Sequence, residues 1–330
     1  MCKSLFGPLM SIQEHSQFIP HFWCRNRHLQ TILPALFRAP APLPYKRERL
    51  ELDDGDFLDL DWIRNNSKSL VVLSHGLEGS SRSPYIPGMI ASLSPLGLDF
   101  LAWNMRGCGG EPNRHLHWYH SGRSEDLRSV IQHVKPLYES IILIGFSVGG
   151  NITLKYLGEE SDGITPKIKG ALTFSVPLDL EDSARTMESP SCTIYMQWFL
   201  RKLKKKISQK MALYPDSLSL VGYSKLRTFA DFDSRYTAPL NGFSSANAYW
   251  RASSSLSFLE KIRVPTLLIS AADDPFLGKR CLPFEVLREN NFVHLEVPRN
   301  GGHVGFISRK MGHPFWLEER TLSFISDLNI

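Results

Sequence analysis

The chemistry of this 330-residue chain starts at Gly145-Phe146-Ser147-Val148-Gly149, a G-x-S-x-G pentapeptide. A serine in that setting is a candidate nucleophile. The motif requires a strand to turn sharply into a helix with the serine in a strained backbone conformation, and glycines 145, 149 and 150 remove the side chains that would collide. A plain Gly-rich turn could look the same, so placement decides: the pentapeptide follows the apolar run Ile141-Ile142-Leu143-Ile144 and precedes a helix-compatible stretch.

A serine hydroxyl at its ordinary pKa is a poor nucleophile and needs a base, itself held by a third group. Two downstream loops offer these. Ala271-Ala272-Asp273-Asp274-Pro275-Phe276 leaves an apolar run with two adjacent carboxylates, and Arg299-Asn300-Gly301-Gly302-His303-Val304-Gly305 carries a histidine in a glycine-rich loop. The order Ser, Asp, His is that of the α/β-hydrolase fold. Asp274 is the expected acid because it precedes the proline that starts the next turn, with its neighbour Asp273 as the alternative. A carbonyl attacked by Ser147 develops charge on oxygen, which preorganised N–H groups stabilise. Val148, next to the nucleophile, is one expected donor. Leu77, in the turn Ser74-His75-Gly76-Leu77-Glu78-Gly79, is the other, while His75 and Gly76 shape that turn.

These residues need a sheet to converge them. Short β-branched runs alternate with longer amphipathic segments, the pattern of a mostly parallel sheet with helices on both faces. The expected hairpin strands are 49–52 and 57–63, followed by buried strands 70–74, 99–104, 140–146, 170–175, 266–270 and 291–297. Helices are expected at 124–138, 148–158 and 314–328. Almost 90 residues separate the strands ending near Val176 and starting near Val264, too many for one crossover. The predicted organisation is therefore an N-terminal arm over 1–44, a core over 45–180 and 263–330, and an inserted helical cap over 181–262. Within the cap Trp198, Phe199, Leu203, Ile207 and Met211 recur at helical spacing, and Arg201, Lys202, Lys204, Lys205, Lys206 and Lys210 predict a dense basic face.

Composition narrows the classes. With 42% hydrophobic and 22% charged residues and a formal charge of +5, the chain reads as an ordinary globular protein without the basic, aromatic-interleaved stretches that track nucleic acid. Five cysteines without a CxxC pair argue against a disulfide framework or zinc ribbon and predict a reducing, cytoplasmic setting. No signal-peptide core and no run of 18 apolar residues is present. His115, His117 and His120 are clustered, but not at a metal-ligand spacing, so neither metal nor cofactor is expected.

The chain also resembles the YheT-like α/β hydrolases, relatives of animal abhydrolase-domain lipases and esterases. The similarity is carried by His28-Leu29-Gln30-Thr31-Ile32, His75-Gly76-Leu77-Glu78-Gly79-Ser80, Asn104-Met105-Arg106-Gly107-Cys108-Gly109, Tyr119-His120-Ser121-Gly122, the Ser147 pentapeptide with Gly150-Asn151, Phe232-Asp233 with Thr237-Ala238-Pro239, and Asp273-Asp274-Pro275-Phe276. The resemblance implies cofactor-free hydrolysis of carboxylic esters with short or medium acyl chains, without the animal relatives' membrane anchor. Two other readings stand beside it: a lipase or phospholipase resting its basic cap helix on a membrane surface, and a catalytically silent hydrolase fold that binds a ligand or partner.

Overall fold

The computed structural model describes residues 12–13, 16–38, 42–309 and 315–328. Its strands are β1 (Ile12–Gln13), β2 (Lys46–Glu51), β3 (Phe57–Ile63), β4 (Ser69–Ser74), β5 (Asp99–Asn104), β6 (Ser140–Phe146), β7 (Ile168–Phe174), β8 (Thr266–Ile269) and β9 (Val293–Glu296). They form one sheet in the order β1-β9-β8-β7-β6-β4-β5-β3-β2, antiparallel at β2-β3 and β3-β5 and parallel elsewhere.

β6 is buried on both faces, which is why its sequence is continuously apolar instead of alternating. Ile141 and Leu143 pack into the core beneath α3 (Ser124–Val134) and α4 (Val148–Glu160), while Ile142 and Ile144 pack into the opposite core with α2 (Tyr85–Leu93) and the C-terminal helix Trp316–Asp327. The parallel strands point their C-terminal ends to one edge, where loops from several strands meet and α/β folds place their ligands.

Several boundaries move from the sequence expectation for local reasons. The first hairpin strand runs Lys46–Glu51 and not 49–52, because Arg47 and Arg49 extend it by pairing across to Asp61 and Asp59 of β3. α3 stops at Val134 and not at 138: Lys135 still has helical φ and ψ, but Pro136 has no N–H to continue the ladder, and Leu137 N–H turns back to Val134 O at 2.9 Å. β7 ends at Phe174 and not at 175, because Ser175 turns out of the strand with φ 52°. β8 stops one residue short of 270, and β9 covers Val293–Glu296 within the expected 291–297. α4 continues past 158 to Glu160. The last helix starts at Trp316; Pro314, its expected start, lies outside the described residues.

The N-terminal region carries two elements that periodicity did not reveal. β1 extends the sheet beside β9, and α1 (Arg27–Phe37) begins at Asn26, whose side chain accepts from the His28 and Leu29 N–H groups at 2.8 and 3.3 Å. The long segment between β7 and β8 is helical, with α5 (Leu180–Met187), α6 (Thr193–Leu213), a π-turn at Asp233–Thr237 and the helix Ala246–Ser253.

The predicted basic face of α6 is interrupted. Lys206 and Lys210 are buried, not solvated. Lys206 Nζ donates to Gly107 O at 2.9 Å and sits 3.4 Å from Glu78 Oε1, and Lys210 Nζ donates to Asn113 O at 2.5 Å and to His115 O. Burial pushes the Lys210 ammonium down to about 8. These lysines lie on the stripe of Leu203 and Ile207 and reach past it to carbonyls of the core, a use of long aliphatic stems that charge counting cannot anticipate.

Arg106 fastens the loop after β5. Its guanidinium, 4% exposed, takes Asp126 of α3 in a fork at 2.7 and 2.9 Å, and reaches Asp54 at 2.6 Å and Asp56 at 3.2 Å in the β2-β3 turn. Removing one partner of a buried ionic network strands the others. Arg106→Met is expected to lower stability by about 3–5 kcal/mol, read by urea unfolding; a loss under about 1 kcal/mol, the scale of exposed pairs, would show that the network is dispensable.

Candidate active site

Ser147 occupies the turn between β6 and α4 with φ 52° and ψ −120°. Its N–H donates to Phe174 O at 2.8 Å, so the strain is held by the neighbouring strand. The glycines are required by contact as much as by conformation: a Cβ on Gly149 would stand 2.3 Å from Ser74 O, and one on Gly145 would stand 2.6 Å from Gly150 Cα.

His303 comes from the loop after β9. Its Nε2 lies 3.0 Å from Ser147 Oγ, and its Nδ1 lies 2.9 and 3.2 Å from the two Asp274 oxygens. The Asp274 carboxylate is fully buried, and Oδ1 also accepts the Phe276 N–H at 2.9 Å. With the carboxylate on Nδ1, the imidazole carries its proton there and presents Nε2 as acceptor to the serine. The Phe276 ring covers the imidazole, centroids 4.3 Å apart.

Asp273 faces elsewhere. It accepts the Gly302 N–H at 3.0 Å and the Asn300 amide at 3.2 Å, shaping the histidine loop from below, and burial raises its pKa. Of the two adjacent carboxylates, Asp274 is the one brought to His303.

The turn after β4 closes the other side of Ser147. Gly76 N–H donates to the Tyr85 hydroxyl at 2.9 Å and Glu78 N–H to the Tyr119 hydroxyl at 2.7 Å. Leu77 lies between these anchored neighbours, and among the described residues no acceptor holds its N–H or that of Val148. Both residues line the same cavity as Ser147. His75 is buried and neutral, its pKa pushed down to about 4 by desolvation. Its Nε2 accepts the Met105 N–H at 3.1 Å, which fixes the proton on Nδ1, and Nδ1 donates to Gly76 O at 2.8 Å. It is a strut of the turn.

Of the clustered histidines, His115 and His117 stack on each other with ring centroids 5.1 Å apart, and each ring has its own partner. His115 Nε2 bonds Asp54 O at 2.7 Å, His117 Nε2 lies 3.3 Å from Arg123, and His120 Nδ1 accepts the Gly122 N–H at 3.2 Å.

Two sets of site residues escaped sequence reasoning. The first belongs to α1. Thr31 Oγ1 accepts the His303 N–H at 2.9 Å, Gln30 Oε1 accepts the Ile307 N–H at 2.6 Å, and Gln30 Nε2 donates back to Ile307 O at 3.1 Å. A Cβ on Gly305 would stand 1.9 Å from Gln30 O, so helix and loop touch backbone to backbone. The motif His28-Leu29-Gln30-Thr31 was visible, but its partner is over 270 residues away. The second is Asp233, a buried carboxyl of the π-turn that lines the Ser147 cavity and accepts from Thr237 Oγ1 at 2.6 Å and Trp250 Nε1 at 2.8 Å. Desolvation raises its pKa to about 6.

A nine-stranded, mostly parallel sheet with its serine elbow after β6 is the α/β-hydrolase fold. A profile of the serine aminopeptidase, S33 (Hydrolase_4) family matches residues 65–280. YheT of Escherichia coli (strain K12), an esterase by name, is 36% identical over 315 residues, 92% of either chain. Phospholipase ABHD3 of Bos taurus is 30% identical over 304 residues, 88% of this chain and 73% of its own. An esterase of Pyrococcus furiosus shares the fold with a TM-score of 0.57 at 19% identity, over 87% of this chain and 91% of its own. The chain belongs to this esterase- and lipase-containing α/β-hydrolase family, in its YheT-like branch.

Thr31→Val keeps the shape of the side chain and removes the acceptor of a half-buried N–H. The expected cost is about 1–3 kcal/mol, measured by urea unfolding, and an unchanged midpoint would show that the loop is held without α1.

Proposed function

We propose that this protein is a serine hydrolase of carboxylic esters with short or medium acyl chains. The supporting observation is the chain of contacts from Asp274 through His303 to Ser147, at 2.9 and 3.0 Å. His303 takes the Ser147 proton as Oγ attacks the ester carbonyl; Asp274 holds the imidazole and stabilises its charged form. The oxyanion is met by the Leu77 and Val148 N–H groups. His303 then protonates the departing alcohol, and water activated by the same imidazole releases the acid from the acyl-enzyme. No cofactor enters these steps.

A fluorophosphonate probe is expected to label the native protein at Ser147 and to leave Ser147→Ala unlabelled. The variant should lose p-nitrophenyl ester turnover by about 10⁴-fold or more while melting within a degree or two of the native chain. A native chain that neither reacts with the probe nor turns over esters would be the silent binder.

A second reading, action at a lipid surface, is favoured by one observation. Leu36 and Phe37 of α1 and Ile194 and Trp198 of α6 are 69, 74, 76 and 47% exposed. Arg201, Lys204 and Lys205 are exposed on the same helix. Among the described residues no helix is long and apolar enough to cross a membrane, so any such contact would be peripheral. The expected result is sedimentation with anionic vesicles that weakens with salt and in Trp198→Glu. Equal recovery in the supernatant with and without vesicles would remove the reading.

A further inference from the structure

Two cavities of very different size open on Ser147 and His303. Both are lined by Leu77, Ser147, Phe199, Phe276 and His303, so they meet at the reacting atoms. One is a chamber of about 110 Å³ and the other a groove of about 540 Å³. An ester also has two arms, and hydrolysis treats them differently. The acyl arm stays on the serine, and the alkoxy arm leaves with the proton delivered by the histidine.

The residues that line one cavity and not the other tell which arm each receives. Val148, the oxyanion neighbour of Ser147, lines the chamber only. Thr31 and Val304, which hold and follow His303, line the groove only, together with Gly76, Glu78 and Gly79 of the turn that carries Leu77. The leaving oxygen must face the histidine that protonates it, so the groove lies on the alcohol side and the chamber on the acyl side.

Size and chemistry then define the substrate. A dry cavity of about 150 Å³ admits a benzene ring, so the 110 Å³ chamber holds an acyl group of a few carbons. Its walls include the buried Asp233, whose two oxygens are taken by Thr237 and Trp250, beside the apolar Leu180, Met187 and Phe232. The groove runs between α1 and α6 over Pro34, Leu36, Ile194, Tyr195 and Trp198, and is continuous with the exposed apolar residues of both helices. Its charged members have partners: Arg38 pairs with Glu318, the Glu78 carboxylate takes Tyr119 and Lys206, and Lys202 donates to Glu78 O at 3.1 Å over the Trp198 ring.

We infer that the preferred substrate is an ester of a short carboxylic acid with a long, apolar primary alcohol, the acyl group in the chamber and the alkyl chain in the α1–α6 groove. This rests on the proposed roles of Ser147 and His303. In the step implied, the Ser147 Oγ–acyl carbon bond forms, the acyl carbon–alkoxy bond breaks, and the serine proton passes through His303 Nε2 to the released alcohol.

Octyl acetate and ethyl octanoate test the inference because they are isomers with the same hydrophobicity and opposite arms. Each fully buried methylene is worth roughly fourfold in binding; with partial burial in an open groove, kcat/KM for octyl acetate is expected to exceed that for ethyl octanoate by at least about tenfold. Ile194→Asp, at an exposed position of the groove wall, should lower kcat/KM for octyl acetate about tenfold more than for ethyl acetate, mainly through KM. Equal or reversed preference between the isomers, with ethyl acetate still hydrolysed, would overturn the assignment of the two cavities and leave the serine mechanism standing. Absence of turnover on every ester would overturn both.

Discussion

The strained turn at Ser147 is the constraint on which the rest of the site depends. A φ of 52° with ψ −120° lies in territory that side-chain-bearing residues avoid, at a cost on the order of 1–3 kcal/mol. The conformation survives because alternatives are blocked: α4 presses its first turn onto the β4 loop so closely that glycine alone fits at 149. The same pressing brings Val148 and Leu77 to one side of the serine. Strain at one residue and convergence of two loops are thus a single packing event.

His303 is held by a different logic. Its loop has positive φ at Gly301, Gly302, Val304 and Phe306, so little regular structure supports it. Hydrogen bonds from three directions do: Asp273 from the β8 loop, Ser175 Oγ accepting the Val304 N–H at 2.9 Å from the end of β7, and Gln30 and Thr31 from α1. Asp274 bonds the imidazole itself, while its Oδ1 also accepts the Phe276 N–H. Two adjacent carboxylates in the turn after β8 serve different partners, Asp273 the Gly302 N–H and Asp274 the imidazole.

How much of this could be read in the sequence follows the range of the forces involved. The strands β5 and β6 were legible to the residue because buried parallel strands are continuous apolar runs, and the strained turn at Ser147 was legible because its demand for small neighbours is local. The pairing of His303 with Asp274 and not Asp273 depended on which way a turn faces, which one sequence leaves open. Gln30, Thr31, Lys206 and Lys210 were unreadable for a common reason: their partners are distant in the chain, and their composition suggests solvent. A lysine-rich helix looks like a wet face until the carbonyls it caps are known.

The attachment of those lysines bears on how the fold divides its work. α6 does not merely cover the cleft; Lys206 reaches Gly107 O and Glu78, and Lys202 reaches Glu78 O, so the helix grips the turn that carries Leu77. α1 grips the histidine loop from the other side. Both helices lie outside the central sheet, and between them they form the walls of the larger cavity. On the proposed mechanism, a change in their exposed residues alters what enters, while a change in their buried polar residues disturbs the loops that carry Leu77 and His303. The two jobs are not separated on the helices: Thr31 of α1 lines the larger cavity and accepts the His303 N–H, and Lys202 of α6 lines it and donates to Glu78 O.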